Sequence, residues 1–411
     1  MKKKIAFVIN YFYPDLASTG QLMTELCMDL QSDFEITVIA AQPGYAGEET
    51  NTNKTFEIDY LENIKVVRIR LPEVDKSSKI SRLKYIFSYF MLANMALLKE
   101  KNIDVIYTIS QPPVLGGLIG TIGKFLKRTK HVYNIQDFNP EQAEAISYTN
   151  KKFVFNVARS IDKLNCRYAD HIILVGNDMA ETLKKRFNYT YIPKHSVINN
   201  WTNEDEITPQ AKTNPKVDGF LQAHNLKDKF IVMYSGNLGL YYDLENIIKI
   251  TGAFKAHRDI VFLFIGEGAV KQKMKDFVES NDVNNALFLP YQPKEFIKYS
   301  LNAADVHLVV NQKGIKGVSV PSKIYGVMAA GKPILGVLEK GSEAQLIIEK
   351  SQSGIVVEPK NYKGIIEAIN YLFNLNQKKR REMGIKGRNY LEENLQRKTS
   401  INKYRDLLMK L

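Results

Sequence analysis

The sequence predicts an α/β protein built from two doubly wound parallel-sheet domains, on three observations. Short apolar runs alternate with helical patterns almost throughout. The alternation stops near residue 200 and restarts near 229. At 411 residues the chain also exceeds what one core ordinarily holds.

The elements follow in order. In the first half, "KIAFVIN", "EITVIA", "KVVRIR", "DVIYTIS", "HVYNIQ" and "HIILVG" read as buried strands. Helical patterns lie between them near 21–31, 81–100, 115–128, 153–168 and 177–186. The second half repeats the scheme with "FIVMYSG", "IVFLFIG", "ALFLPY", "DVHLVV", "PILGVL" and "GIVVEP". Residues 201–228 are polar, hold two prolines and lack periodicity until a short helix, and so read as a linker. The expected division is a first domain over 1–200, a second over 229–387, and a helix from about 388 to 411 returning to the first. The opening "MKKKIAFVIN" has only six apolar residues before Asn10, Tyr11 and Pro14, which suits a strand better than a signal peptide.

Composition narrows the class. Apolar content of 45% with 25% charged residues is that of a folded soluble protein, expected in the cytoplasm. Cys27 and Cys166 have neither metal-type spacing nor a disulfide framework, which fits a reducing compartment. A net charge of +13 calls for an anionic partner. No zinc-finger spacing, repeat or Arg-rich tail accompanies it, so nucleic acid is the weakest choice beside a membrane surface or a phosphorylated substrate. Between Lys65 and Lys101, nine Lys/Arg stand against three Asp/Glu around the run "YIFSYFMLANMALL". That run is too short to span a bilayer. It reads either as a buried helix with a basic outer face or as a membrane-docking surface, with Lys79, Arg82, Lys84, Phe87 and Phe90 as contacts.

Ligands of doubly wound domains bind beyond the carboxyl ends of the strands, so the post-strand loops are the places for chemistry. Gly20 follows the first strand at a helix start, where backbone amides lack partners, although packing alone would also place a glycine there. Gly236 and Gly239 follow the first strand of the second half, and Gly266 and Gly268 follow the next. Neither loop has the dinucleotide G-x-G-x-x-G or the Walker Lys-Ser/Thr pattern, which weakens nicotinamide and ATP readings. "GVSVPSKIYGVMAAGKP" offers Ser322 or Pro321 at a helix start, with Lys313, Lys316 and Lys323 around it. Such a place receives a diphosphate without a metal. No Asp-x-Asp occurs anywhere, so no divalent site is expected. His131, His171 and His307 sit in or beside strands and read as core or edge residues. Asp137 and Glu141, in "YNIQDFNPEQAEA", are either helix-start residues or contacts to an acceptor hydroxyl across the cleft.

Set in order, "YFYPDLASTG", "SQPP", "QDFNPEQA", "KHSVINNWTNEDEITP", "YSGNLG", "IGEG", "AADVHLVV" and "VPSKIYGVMAAGKPIL" resemble a family-4 retaining glycosyltransferase of the GT-B fold, over nearly the whole chain. The likeness is strongest to the bacterial branch, related to fucosamine and colanic-acid transferases, that builds capsule, O-antigen or exopolysaccharide. It implies two Rossmann-like domains facing a cleft and metal-independent sugar transfer with retention. The donor it implies is a nucleotide-diphosphate sugar, expected to be UDP-linked with an N-acetylated aminosugar as one candidate, and it is a substrate; no cofactor is implied. The acceptor is a polyprenyl-diphosphate-linked sugar or other glycan hydroxyl at the cytoplasmic face of the inner membrane.

Residue by residue, the resemblance puts Gly20 against the donor diphosphate, with Asp137 and Glu141 on the acceptor side. Gly236 and Asn237 stand beside the diphosphate, Glu267 and Gly268 near the base. Val318, Ser319, Val320, Pro321, Ser322 and Lys323 form the phosphate-facing approach. Two departures stand out. The family's paired glutamates fall at Val318 and Gly326, and its Arg and Lys are replaced by Asn237 with Tyr241 or Tyr242 nearby. An epimerase and a non-catalytic nucleotide-sugar-binding subunit of a polysaccharide assembly complex therefore stay open as alternatives.

Overall fold

The computed structural model describes residues 2–15, 17–43, 54–74, 78–146 and 152–411. They form two compact units. The first comprises the described residues up to Glu144, those from 152 to Asn199, and Lys398–Leu411; the second comprises Ala145, Ile146 and Asn200–Arg397.

The first unit holds an eight-stranded sheet. Its strands are β1 (Lys4–Val8), β2 (Glu35–Ala41), β3 (Phe56–Leu61), β4 (Ile64–Ile69), β5 (Val105–Ile109), β6 (Lys130–Ile135), β7 (His171–Leu174) and β8 (His195–Val197). Their spatial order is β3-β4-β2-β1-β5-β6-β7-β8. All neighbours run parallel except β3 against β4. The apolar runs make this outcome necessary: Val8, Ile39 and Ile106 are buried, and helix Lys79–Lys99 covers them with Tyr89, Ala93 and Leu97. Ser78 starts that helix by accepting a bond from the Ser81 amide at 3.2 Å. His131 and His171 are buried and bonded, to Thr108 at 2.8 Å and Ser196 at 2.9 Å.

The second unit holds β9 (Phe230–Ser235), β10 (Ile260–Ile265), β11 (Ala286–Leu289), β12 (Val306–Val310), β13 (Ile334–Val337) and β14 (Gly354–Val357). All are parallel, in the order β11-β10-β9-β12-β13-β14. Consecutive strands thus run one way from β9 and the other way from β12, and the order reverses between those two. That reversal leaves a crevice at the strand ends.

Two boundaries differ from the sequence expectation. The stretch 201–228 is built into the second unit: helix Pro215–Ala223 buries Val217, Phe220 and Leu221 against Ile231 and Met233. Asn302 also donates to the Thr208 carbonyl at 2.9 Å. At the other end, helix Gln377–Asn394 stays with the second unit, where Arg388 donates to the carbonyls of Ile207 and Ala329 at 2.8 and 2.9 Å. Only helix Arg397–Lys410 joins the first unit. There Tyr404 is fully buried and accepts from Asn134 at 2.9 Å, while Lys3 donates to the Met409 carbonyl at 2.6 Å.

Candidate functional site

In the second unit the loops after β9 and β12 meet over the crevice. The Gln312 amide donates to the Tyr241 carbonyl at 2.8 Å and joins them. The loops after β9 and β10 are locked together as well. Leu238 donates to the Glu267 carbonyl at 2.8 Å, and Val270 donates back to Leu238 at 3.0 Å. Glycine is obligatory at this crossing. Gly236 and Gly266 have φ of +142° and +140°, and a Cβ on Gly266 would lie 2.0 Å from the Gly236 carbonyl oxygen. Gly268 approaches as closely: its Cβ would lie 2.2 Å from the Leu238 oxygen.

Lys323 projects into this junction. Its ammonium donates to the Tyr234 hydroxyl at 2.5 Å and sits 3.8 Å from the Tyr234 ring centre and 4.2 Å from that of Tyr242. A Cβ on Gly236 would be 3.4 Å from Lys323 Cε, so the lysine tip lies against the glycine turn. Tyr234 passes the contact on, its hydroxyl donating to the Asn237 carbonyl at 2.7 Å. Burial of the ammonium pushes the Lys323 pKa well below its ordinary value. A cation held by two π faces is attracted to the rings without being neutralised, so it can still meet an anion.

The rest of the approach is placed as follows. Ser322 precedes the seven-residue helix Lys323–Ala329, with helical backbone angles and no side-chain cap bond. Val318, Val320 and Pro321 are buried, and Ser319 is half-buried. Glu339 holds this loop from outside, accepting from the amides of Gly314 and Lys316 at 2.8 and 3.0 Å. The Lys316 ammonium, expected near the cap, instead donates to the Lys340 carbonyl at 2.6 Å. Gly326 is half-buried, and a Cβ there would meet only Leu301 Cδ1, at 3.7 Å. Glu267 is more than half exposed and pairs with Lys271 at 2.6 Å. Among the described residues, no three His, Cys, Asp or Glu side chains gather as a metal-binding group.

In the first unit, helix Ser18–Leu30 begins earlier than expected, so Gly20 is within its first turn. A Cβ on Gly20 would lie 3.1 Å from the Tyr11 carbonyl oxygen, so Tyr11 crosses directly over it. Asp137 follows β6 and is half-buried, with its amide donating to Ser110 Oγ at 3.2 Å. Glu141 is an ion-pair anchor: one carboxylate oxygen meets Arg186 at 2.5 Å and the other Arg159 at 3.3 Å. Burial pulls its pKa up, but the two guanidiniums outweigh this and hold it below the usual value. With both oxygens engaged, Glu141 ties the 137–141 loop to helices Lys152–Tyr168 and Asn177–Arg186. Arg186 also pairs with buried Asp162, which accepts from Tyr133 at 2.8 Å. Sequence reasoning missed Arg186, which no local pattern links to a glutamate 45 residues away. On helix Lys79–Lys99, Arg82, Lys84 and Phe87 are exposed. Phe90 turns inward onto the core, and the Lys79 side chain lies outside the described residues.

Two doubly wound parallel-sheet units define the GT-B class of glycosyltransferase folds. Solved structures of that class superpose over the whole chain. Sucrose-phosphate synthase from Thermosynechococcus elongatus matches with a TM-score of 0.77 at 16% identity, covering 100% of this chain and 99% of that one. HepE from Anabaena, in complex with UDP-glucose, matches at 0.71 and 14%, covering 99% and 100%. Residues 219–390, most of the second unit and all of the lysine junction, match the model of glycosyl transferases group 1. Among curated relatives, WbjE of Pseudomonas aeruginosa, named as a probable glycosyltransferase, is 27% identical over 340 residues, or 82% of this chain and 80% of that one. WcaI of Escherichia coli, named for glycosyl transfer in colanic acid biosynthesis, is 23% identical over 346 residues, 80% and 81% of the two chains.

Proposed function

We propose that this protein transfers a sugar from a nucleotide-diphosphate sugar to a hydroxyl, with retention at the anomeric carbon, in bacterial surface polysaccharide synthesis. The supporting observation is the Lys323 ammonium held between Tyr234 and Tyr242 against Gly236, inside the family-matched segment. In the reaction the bond from the anomeric carbon to the diphosphate oxygen breaks as the acceptor oxygen bonds to the same face. The acceptor proton passes to the departing phosphate. The chemical burden is then the charge growing on the diphosphate, which a preplaced cation and backbone amides can take without a metal. Ser322, Asn237 and Gly236 would bound the diphosphate, and Glu267 and Gly268 the base. Asp137 would meet the acceptor hydroxyl, with Gly20 on the leaving-group side.

The donor reading is UDP-linked, since HepE was solved with UDP-glucose and a trehalose-6-phosphate protein of E. coli with UDP-2-fluoro glucose. The acceptor reading is a lipid-linked or other glycan hydroxyl at the cytoplasmic face of the inner membrane, motivated by the basic, aromatic helix Lys79–Lys99. A thermal-shift screen of nucleotide sugars, followed by turnover with lipid-linked acceptors, tests the proposal. A true donor at a hundred times its Kd should add about 2.7 kcal/mol of stability. If no nucleoside diphosphate or nucleotide sugar raises the Tm, the reading is wrong. Binding without turnover would select the non-catalytic alternative, which the apolar Val318 and Gly326 favour; donor conversion without an acceptor would select an epimerase.

A further inference from the structure

Three neighbouring helices of the first unit share an unusual surface. Helix Lys79–Lys99 exposes Ile80, Leu83, Phe87, Met91, Met95 and Leu98, Ile80 at 79% and Phe87 at 63%. At about 100° per residue these six fall within a stripe roughly 120° wide. Helix Leu115–Lys127 adds exposed Phe125 and Leu126, and helix Lys152–Tyr168 adds Phe153 at 78%, Val157 and Leu164. The helices touch in sequence. Lys127 donates to the Leu98 carbonyl at 3.2 Å, Lys124 to the Tyr168 carbonyl at 2.8 Å, and the Phe125 and Tyr168 rings are 5.2 Å apart. Aromatic and aliphatic side chains therefore stand out from three adjoining helices of one unit.

The charge on these helices identifies what covers them. The first two contain no Asp or Glu, and the third contains only Asp162, which is buried against Arg186. Ten Lys/Arg lie on the same three helices. Two carboxylates beside these helices are already held, Asp170 by Lys124 at 2.7 Å and Glu144 by Arg159 at 2.5 Å. Among the described residues, no helix is long and apolar enough to cross a membrane. A second copy placed face to face would set cations against cations, since the only carboxylate on these helices is buried Asp162. Bulky apolar groups on helices whose lysines and arginines far outnumber their carboxylates instead suit the interface of an anionic bilayer, where rings enter the acyl boundary and ammonium groups reach the headgroups.

We infer that these three helices together form a docking face for an anionic lipid bilayer, with Phe125, Leu126 and Phe153 inserting alongside the stripe of helix Lys79–Lys99. This deepens the membrane part of the proposed function and rests on that part only. Flotation of the full chain with vesicles of phosphatidylcholine and phosphatidylglycerol at 7:3, against phosphatidylcholine alone, tests it. Two triple variants serve as probes: Leu83→Ser/Phe87→Ser/Met91→Ser and Phe125→Ser/Leu126→Ser/Phe153→Ser. All six positions are exposed, and circular dichroism and Tm should match the parent. The parent should partition at least tenfold more strongly to the anionic vesicles, less so in 0.5 M salt, and each triple should lose at least tenfold. A parent that does not float, or floats equally with neutral lipid, overturns the inference. Retained binding by the second triple confines docking to one helix and overturns the three-helix face. A dimer by light scattering that the same substitutions disperse would make a second copy the occupant. The assay reads no turnover, so its failure leaves the transfer reaction standing.

Discussion

Replacing Lys323 with Met removes the ammonium while keeping most of the stem's volume. In the free protein the change should be nearly silent. Loss of the bond to Tyr234 and of two ring contacts removes up to a few kcal/mol. The desolvation that depresses the Lys323 pKa disappears with the charge and offsets most of that loss. A net change within about 1 kcal/mol moves the Tm of a unit this size by about 2–4 °C. In the transition state nothing offsets the missing charge, and kcat/KM should fall about 10²–10³-fold, or about 2.7–4 kcal/mol. The pH dependence gives a second readout. As pH rises through the lowered lysine pKa, the folded parent loses the charge proposed to attract the diphosphate, so donor affinity should fall. Over the same rise, up to the ordinary lysine value, the unfolded chain keeps a proton the folded chain has shed, so unliganded stability should increase. Both trends should be absent in Lys323→Met, by isothermal titration and urea unfolding. A variant whose kcat/KM stays within threefold of the parent would refute the assignment.

Two further outcomes are expected. Arg186→Met should cost about 3–5 kcal/mol in urea unfolding, because Asp162 is left buried without its partner; Arg186→Met with Asp162→Asn should recover most of it. Gly326→Ala should stabilise by about 0.5–1 kcal/mol, since the added methyl meets only Leu301 within a helix. If the ribose lies at this position, donor affinity should fall as the Tm rises; unchanged affinity would move the ribose elsewhere.

The parallel strands were legible because strands covered on both faces need unbroken apolar runs, such as "IVFLFI" and "VHLVV". β3 was not, since "FEIDYL" is an antiparallel edge strand with half of its residues exposed. β8 is three half-buried residues long and carries no periodicity. Around the candidate site, the glycines and Lys323 could be found from their place after strands. The role of Tyr234 could not, because a tyrosine in "FIVMYS" reads as core, and only the fold brings Lys323 onto it. Glu141 shows the converse: its loop position reads as a ligand contact, while the ion pairs that hold it come from helices later in the chain and carry no local signal. On helix Lys79–Lys99, Phe87 and Phe90 looked equivalent by composition, yet rotation about the helix axis sends one outward and the other into the core.

Tyr404 in the core of the first unit also bears on how the chain is made. The sheet that contains Tyr107 and Asn134 is fully translated by Asn199, yet the helix that covers them begins only around Lys398. At ribosomal speeds the interval between the two is roughly 10–40 s. Throughout it the early sheet carries an unfilled position beneath Tyr107, while the second unit can be completed first. The order of synthesis and the order of completion are thus reversed, and a nascent chain released early would lack the residue that closes its first unit.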